Sequence, residues 1–325
     1  MQAFSLLTPA NLDGALGAAA EPGSMFIAGG TDLMQLLKDD VVAPTRLIDL
    51  DALLTSEIEV AASGLRIGAL ARMSDVAAHP AVRRDWPVIA EALLASASPQ
   101  VRNMATMGGN LLQRTRCGYF RDTGFACNKR VPGSGCPAIH GENRMLAILG
   151  GSEHCIASHA SDLAVALVAL DAIVEIRGPK GAVRRVNVSD LHRLPGDTPD
   201  IETVLQPGEM ITMLEVPASA AARRSRYLKV RDRASFEFAL VAAAVALDTD
   251  GEMIREARVA MGGVGTKPWR LPAVETALRG QPLGDATFAT AAWLAAEGAM
   301  PARQNGFKVK LMQRTLVRAL QNVSA

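Results

Sequence analysis

The chain has 325 residues, of which 49% are hydrophobic and 21% charged, so it is long enough for two domains and a substantial core. Its 34 Lys and Arg residues balance 33 Asp and Glu residues, and no overall charge favours binding to nucleic acid or an anionic membrane. The start of the chain lacks a basic signal-peptide region, and the longest apolar run, at residues 163–174, is too short to span a bilayer. We therefore expect a soluble globular chain without nucleic-acid binding or membrane insertion.

The first 40 residues predict a helix, a strand, a glycine turn and a second helix. Thr8 followed by Pro9 is typical of a helix start, and this helix should end near residues 22–23. The apolar residues 25–28 then predict a strand that runs into Gly29 and Gly30. Backbone N–H groups at such a turn can bind a phosphate, but the spacing is not G-x-G-x-x-G, and an ordinary turn is the alternative.

A second pair of glycines follows a stretch of short strands and helices. Strands are predicted at residues 46–50, 57–61 and 65–70, and helices at 74–78 and 85–94. Thr106, Gly108, Gly109 and Asn110 then predict a compact loop that lets a ligand approach the backbone closely. A β-bulge or a tight turn is the alternative interpretation.

The carboxyl-terminal half predicts a second unit after a linker. Ser161 is a plausible N-cap for a helix over residues 163–167, and strands are predicted at 173–177, 183–188 and 211–216. The Ala- and Arg-rich residues 218–224 are typical of a linker. Strands at 226–231, 239–247 and 254–261 precede helices at 272–278, 285–297 and 307–322, which predicts helices on one face of an antiparallel sheet.

All four cysteines lie within residues 114–159, here called the cysteine segment: Cys117, Cys127, Cys136 and Cys155. Nine, eight and 18 residues separate them, whereas structural zinc sites usually pair cysteines two to four residues apart. An iron–sulfur cluster also needs four thiolates and tolerates varied loop spacings. The sequence favours a cluster, and it leaves zinc, two disulfides or inert buried thiols as alternatives.

Basic residues outnumber acidic ones in the cysteine segment, and local positive charge suits an anionic four-thiolate cluster. A solvated basic loop, or one that docks on an acidic partner, is the alternative. Three of the five histidines, His140, His154 and His159, lie in or beside the segment. With four thiols present, we expect these histidines to form local hydrogen bonds rather than to ligate a metal.

Four runs of sequence together resemble the FAD-binding subunit of the xanthine dehydrogenase and molybdenum hydroxylase family. They are AGGTDLM at residues 28–34, ATMGGN at 105–110, SDL at 161–163 and YLKVRDRASFEFALV at 227–241, and the resemblance spans nearly the whole chain. The cysteine segment is similar to subunits of this family that carry an additional 4Fe-4S cluster. It resembles the subunit of periplasmic aldehyde oxidoreductase more than the medium subunit of 4-hydroxybenzoyl-CoA reductase, whose first two cysteines are spaced differently.

The resemblance implies an α+β fold: a two-subdomain FAD-binding fold of the vanillyl-alcohol oxidase (PCMH) type, followed by a carboxyl-terminal α+β flavoprotein domain. The implied boundaries are residues 1–217, with subdomains of about 1–55 and 56–217, and residues 224–325. The implied FAD-binding residues are Phe26, Ile27, Ala28, Gly29, Gly30, Thr31, Asp32, Leu33, Thr106, Gly108, Gly109, Asn110, Ser161, Asp162, Ile211 and Lys229. The implied 4Fe-4S ligands are the four cysteines, and no acid–base catalytic residue is expected in this chain.

The family resemblance also implies partners. A large subunit would carry the molybdenum cofactor, a small subunit would carry 2Fe-2S clusters, and this chain would pass electrons from the small subunit to an external acceptor. The substrate class would be aldehydes or heterocycles. The compartment would be the cytoplasm, or the periplasm by co-export with a partner that carries a signal.

Two other hypotheses follow from the residues. The chain could be a stand-alone FAD oxidase, which would be active without molybdenum partners. It could also be a non-enzymatic interaction module that holds zinc. Because both glycine runs lie outside the cysteine segment, we expect Cys136→Ser to lose a cluster and to keep FAD.

Overall fold

The computed structural model describes residues 1–325, which form three β-sheets with helices between and around them. The first sheet is parallel and contains β1 (Ser5–Leu7), β2 (Ser24–Ile27) and β3 (Arg46–Asp49), in the order β1-β3-β2. Parallel strands need crossover connections, which α1 (Leu12–Ala19) and α2 (Leu33–Lys38) supply. The strand, glycine turn and helix predicted for residues 25–37 are confirmed.

The predicted start of α1 at Thr8 was wrong. The helix begins after Asn11, whose side-chain oxygen accepts a hydrogen bond from the backbone N–H of Gly14 at 2.8 Å. Asparagine satisfies an unpaired amide of the first turn in this way, so it competes with the Thr-Pro signal three residues earlier.

The second sheet is antiparallel and has β8 at its centre. Its order is β4-β5-β8-β6-β7, with the strands β4 (Ile58–Ala61), β5 (Gly64–Gly68), β6 (Ile173–Arg177), β7 (Val183–Asn187) and β8 (Met210–Pro217). The connection from β5 to β6 contains the helices α3 (Met73–Ala78), α4 (Pro80–Asp85), α5 (Pro87–Ala95), α6 (Pro99–Met104), α7 (Met107–Leu111), α8 (Gly118–Arg121) and α9 (Asp162–Ala169). Every residue of α9 is buried, so this helix forms the centre of the largest core.

The third sheet is antiparallel in the order β12-β11-β10-β9. Its strands are β9 (Ser225–Val230), β10 (Val241–Asp250), β11 (Met253–Gly262) and β12 (Trp269–Arg270). The helices α12 (Pro272–Leu278), α13 (Asp285–Trp293) and α14 (Phe307–Ser324) follow, as predicted. In β10, Ala242 and Ala244 pack with α9 while Val241 and Val245 pack with the carboxyl-terminal helices, so both faces of the strand are buried.

Residues 218–224, which were predicted to be a linker, are part of the packed structure. They contain α11 (Ala220–Arg223), and Ala221 and Ala222 are buried in the largest core. Arg224 donates hydrogen bonds to the backbone carbonyls of Val323 and Ser324 at the end of α14. A further short helix, α10 (Val188–Leu191), follows β7, and no helix combines the length and apolar character needed to cross a bilayer.

Candidate cofactor cleft and cysteine segment

A cleft of about 1020 Å³ is bordered by residues from all three sheets. Its volume is at the upper end of the range of about 300–1,000 Å³ that is usual for ligand pockets. The lining includes every predicted FAD-binding residue except Ser161: Phe26, Ile27, Ala28, Gly29, Gly30, Thr31, Asp32, Leu33, Thr106, Gly108, Gly109, Asn110, Asp162, Ile211 and Lys229. Positions far apart in the chain therefore meet at one cavity.

The first glycine loop, residues 26–33, needs glycine at two positions for different reasons. A Cβ atom on Gly29 would lie 2.0 Å from the carbonyl oxygen of Met104, so no other residue fits there without moving the backbone. Gly30 has a φ of +67°, in the left-handed region that favours glycine. The loop is thus shaped by close contact with the end of α6 and presents its backbone to the cleft.

The second glycine pair lies in a helix, and the loop predicted there was wrong. The hydroxyl of Thr106 caps α7 by accepting a hydrogen bond from the Gly109 N–H at 3.3 Å. A Cβ on Gly108 would lie 3.0 Å from the Cβ of Ala69, so glycine lets α7 pack closely against the end of β5. The cap and this packing outweigh the low helix propensity of two glycines.

Asp162 is the centre of a buried polar network beside the cleft. One carboxylate oxygen accepts hydrogen bonds from Lys229 Nζ at 2.7 Å and Ser96 Oγ at 2.8 Å, and the other accepts one from the Tyr227 hydroxyl at 2.7 Å. Lys229 also donates to the Ala95 carbonyl at 3.1 Å. An ammonium has three N–H donors, so one donor of Lys229 is left for a molecule in the cleft.

Burial and the neighbouring Asp162 carboxylate raise the pKa of the Tyr227 phenol well above its usual range, so Tyr227 acts as a neutral donor. Tyr227 and Ser96 are members of the network that the sequence interpretation missed. Tyr227 is two residues before Lys229 on β9, and alternation along a strand places both on one face. No pattern near Ser96 indicated that it would meet Asp162.

Ser161 has a local role that explains its absence from the lining. Its hydroxyl caps α9 by accepting from the Ala164 N–H at 3.0 Å, as predicted, and it donates to Asn110 Oδ1 at 2.5 Å. This bond joins the start of α9 to the last turn of α7. Ile211 is buried on β8 and borders the cleft, and Lys229 on β9 borders the same cleft.

The four cysteines are free thiols that pack in one small apolar core with Phe120 and Leu36. Cys117, Cys127 and Cys155 are buried, and Cys136 is half-buried. Burial raises the pKa of the Cys117 and Cys136 thiols, and it raises that of Cys155 to about 11. Such thiols are protonated and unreactive unless a metal displaces the proton.

No group of three or more His, Cys, Asp or Glu side chains in the structure is arranged to hold a single metal ion. A mononuclear zinc site needs thiolates that converge on one ion at about 2.3 Å. A cubane cluster is larger than one ion and needs four thiolates around a wider space. Four free thiols in one apolar core supply the type and number of donors that such a cluster uses.

Asp32 connects the first glycine loop to the cysteine segment. Its carboxylate accepts a hydrogen bond from the Arg114 backbone N–H at 2.7 Å and one from the Arg121 guanidinium at 2.8 Å, and it also pairs with Arg116. Although Asp32 lines the cleft, its side chain is occupied by these three partners. Arg116 in turn lies over the ring of Phe238 on the loop after β9, 4.8 Å from the centroid.

His159, the last residue of the cysteine segment, forms a pair with the buried His192. Their rings meet edge-to-face with centroids 4.3 Å apart, and His192 Nε2 lies 2.8 Å from the Leu111 carbonyl at the end of α7. Burial lowers the pKa of His159 well below its usual value and that of His192 to about 4, so both rings are neutral near pH 7. The sequence interpretation did not place His192 near this region.

Two protein-family profiles match this chain, one after the other. The profile of the FAD binding domain in molybdopterin dehydrogenase matches residues 2–219, and that of the CO dehydrogenase flavoprotein C-terminal domain matches residues 226–323. Over 331 residues the chain is 48% identical to the aldehyde oxidoreductase FAD-binding subunit PaoB of Escherichia coli (strain K12), with 100% of this chain and 99% of that protein covered.

More distant relatives share the fold. The chain is 28% identical over 260 residues to the glyceraldehyde dehydrogenase medium chain of Sulfolobus acidocaldarius, covering 80% of this chain and 74% of the relative. A chain of quinoline 2-oxidoreductase from Pseudomonas putida 86 superposes with a TM-score of 0.77 at 25% identity, covering 99% and 97% of the two chains. The predicted α+β flavoprotein fold is confirmed by these matches.

Proposed function

The chain belongs to the molybdenum hydroxylase family as an FAD-binding medium subunit, and on that premise we propose that it is the electron-transfer subunit of a molybdenum-dependent aldehyde oxidoreductase. It would bind FAD and one 4Fe-4S cluster and work in a heterotrimer. Heterocycles are the second substrate class of the proposal. The observation that carries it is one cleft, lined by the first glycine loop, α7 and Lys229, with four free thiols in a core that includes Leu36 of α2, the helix after that loop.

FAD occupies the cleft in this proposal. The backbone of the first glycine loop and the start of α7 line the cleft and would hold its phosphates, and Gly29 and Gly108 let these two segments pack closely against α6 and the end of β5. The third N–H of Lys229 is a charged donor for a polar group of the cofactor, and Asp162 holds it in place. When bound, FAD supplies reversible electron storage, while the chain binds it, orients it and shields one side from water.

The 4Fe-4S cluster is assigned to Cys117, Cys127, Cys136 and Cys155. The support is the number of thiols, their free state and their common apolar core. Basic residues outnumber acidic ones in the cysteine segment, which favours an anionic four-thiolate group, although Arg114 and Lys129 pair with Glu202 and Arg116 pairs with Asp32. Substrate oxidation is assigned to a partner, as the family resemblance implies.

The partners of the proposal are a large subunit with the molybdenum cofactor and a small subunit with 2Fe-2S clusters, and electrons leave to an external acceptor. The domain boundaries stay a prediction, at residues 1–217 and 224–325 with the cysteine segment inserted in the first domain.

The proposal is tested by co-expressing this chain with the two partner chains and measuring aldehyde-dependent reduction of an artificial acceptor. We expect activity from the three chains together and none from this chain alone. Aldehyde oxidation by the isolated chain would instead support a stand-alone FAD oxidase.

A further inference from the structure

The first glycine loop and the cysteine segment share a set of contacts at Asp32. Three donors from the cysteine segment converge on this one carboxylate: the backbone N–H of Arg114 and the guanidinium groups of Arg116 and Arg121. Asp32 is about five-sixths buried, so water competes little for these bonds. Charge-assisted hydrogen bonds of this kind are among the stronger ones in proteins.

A second contact between the same two regions is apolar. Asp32 is the residue before α2, and Leu36 of α2 packs in the core that contains Cys117, Cys127 and Cys155. Leu36 also lines the cleft. With only six residues, α2 is too short to be stable without tertiary contacts. The position of the first glycine loop therefore depends on the cysteine segment at two points.

We infer that Asp32 is a positioning residue that couples the two cofactor regions, so that an occupied cysteine segment strengthens FAD binding in the cleft. The inference rests on the proposed function. The cysteine segment contains only one short helix, α8, and a three-residue 3₁₀ turn, so its shape depends on whatever the thiols hold. When the segment is ordered, Arg114 and Arg121 stand where Asp32 can bind them and the loop is fixed for FAD.

The coupling changes one expectation from the sequence. Cys136→Ser should keep FAD because the glycine runs lie outside the segment, but the Asp32 contacts cross that boundary. We therefore expect the variant to keep FAD with lower affinity. Thermodynamic linkage requires the reverse as well, so that bound FAD stabilises the occupied cysteine segment by the same factor.

The test is a double-mutant cycle on the full chain: wild type, Cys136→Ser, Asp32→Asn and the double variant. Each protein is stripped of flavin, and its FAD dissociation constant is measured by flavin fluorescence, with iron content measured in parallel. In the protein with the natural Asp32, Cys136→Ser should weaken FAD binding about tenfold, within the usual range of coupling between sites. In the Asp32→Asn background the same change should alter it less than twofold.

Matched variants separate coupling from general damage. Asp39→Asn removes an exposed carboxylate at the other end of α2 and should leave the tenfold effect intact. Asp32→Glu keeps the charge and should restore part of the coupling. Arg121→Gln removes one of the three contacts from the cysteine segment to Asp32 without changing the glycine loop, and Arg144→Gln, which loses a pair with Asp232, is its control.

The outcomes distinguish this inference from the proposed function. If Cys136→Ser loses iron and FAD affinity stays unchanged, the coupling is refuted while the cluster assignment stands. An equal loss of affinity in both Asp32 backgrounds refutes the role of Asp32. Full iron retention in Cys136→Ser, or wild-type protein without iron, overturns the cluster assignment and the coupling together. If Asp32→Asn does not fold, Arg121→Gln and its control decide the same question.

Discussion

The cleft and the cysteine segment are built in opposite ways. The cleft collects side chains from residues as distant as Gly29, Asp162 and Lys229, each held by a strand, a helix start or a buried network. The cysteine segment is continuous in sequence and nearly without regular structure. Arg130 holds part of it together by donating to the carbonyls of Tyr119 and Phe120 at 2.7 and 2.6 Å.

The difference indicates where each region obtains its shape. The cleft is formed by the protein fold, because its borders are strands and helices with cores of their own. The cysteine segment has a small core of eight buried residues, three of which are cysteines. Loss of a metal group bound to the thiols should therefore disturb this segment more than the cleft. Changes in the segment should thus alter metal content first, and changes in the cleft should alter flavin binding and stability first.

The largest expected effect is the loss of the cluster in Cys136→Ser. A four-thiolate cluster that loses one ligand should dissociate, so iron should fall by about four atoms per chain. Metal analysis after anaerobic purification measures it. Val131→Ser, an exposed change in the same segment, is the control and should keep its iron. Unchanged iron in Cys136→Ser would show that the thiol is not a ligand.

Asp162→Asn should be the most destabilising change in the cleft. It leaves the ammonium of Lys229 buried without its counter-charge, and breaking a buried ion pair from one side costs about 3–5 kcal/mol. Denaturant unfolding gives the free energy, and FAD titration should show weaker binding. Asp248→Asn, at a pair with the exposed Arg255, should change stability much less. Equal effects at the two sites would mean that the buried network is unimportant.

The pair of His159 and His192 predicts acid sensitivity. The pKa of His192 is about 4 in the folded chain and near 6.5 when unfolded, so below pH 6.5 the unfolded chain binds the proton more readily. Stability should be fully present above pH 6.5 and fall as the pH decreases toward 4, by at most about 3 kcal/mol from this residue.

The control for this pH profile is His192→Gln, which removes one of the two rings with a lowered pKa and should make the decline below pH 6.5 shallower, while His159 supplies the decline that is left. Lys308 does not interfere in this window, because its pKa, lowered by burial, is still about 7. An unchanged slope in the variant would exclude His192 as the source.

The smallest predicted effect concerns the first glycine loop. In Gly29→Ala the new Cβ would meet the Met104 carbonyl at 2.0 Å, and overpacking of this kind costs about 1–3 kcal/mol. FAD affinity should fall because the loop must move away from α6. Gly17→Ala, in open space on α1, should be neutral or slightly stabilising. Comparing the flavin content and thermal stability of the two variants measures the difference.

The sequence revealed the residues of the cleft better than their local structure. The glycine turn at Gly29 was identified from its position after an apolar run, whereas Asp162 and Lys229 were implied by the family resemblance. The second glycine pair was assigned to a loop because glycine tolerates positive φ and lets a ligand approach, but the cap by Thr106 and the close packing of Gly108 against Ala69 favour a helix. Ser96 could not be found, since it meets Asp162 only through folding of residues 66 positions apart.

Prediction of the cysteine segment from the sequence was limited in another way. Its donor set was evident from composition, but irregular spacing does not determine how four thiols are placed. The contacts of Asp32 with Arg114 and Arg121 were also hidden, because Asp32 belonged to one motif and the arginines to another region. A carboxylate inside a glycine motif indicates cofactor binding, and only the structure shows that its side chain is bound to the neighbouring segment.

The central claim is that one chain holds FAD in the cleft and a 4Fe-4S cluster in the cysteine segment. The most direct measurement is combined flavin and metal analysis of the full chain, expressed without partners and purified anaerobically, together with its visible spectrum. We expect one FAD and about four iron atoms per chain, with no stoichiometric zinc. Flavin accompanied by zinc, or by no metal at all, would contradict the account.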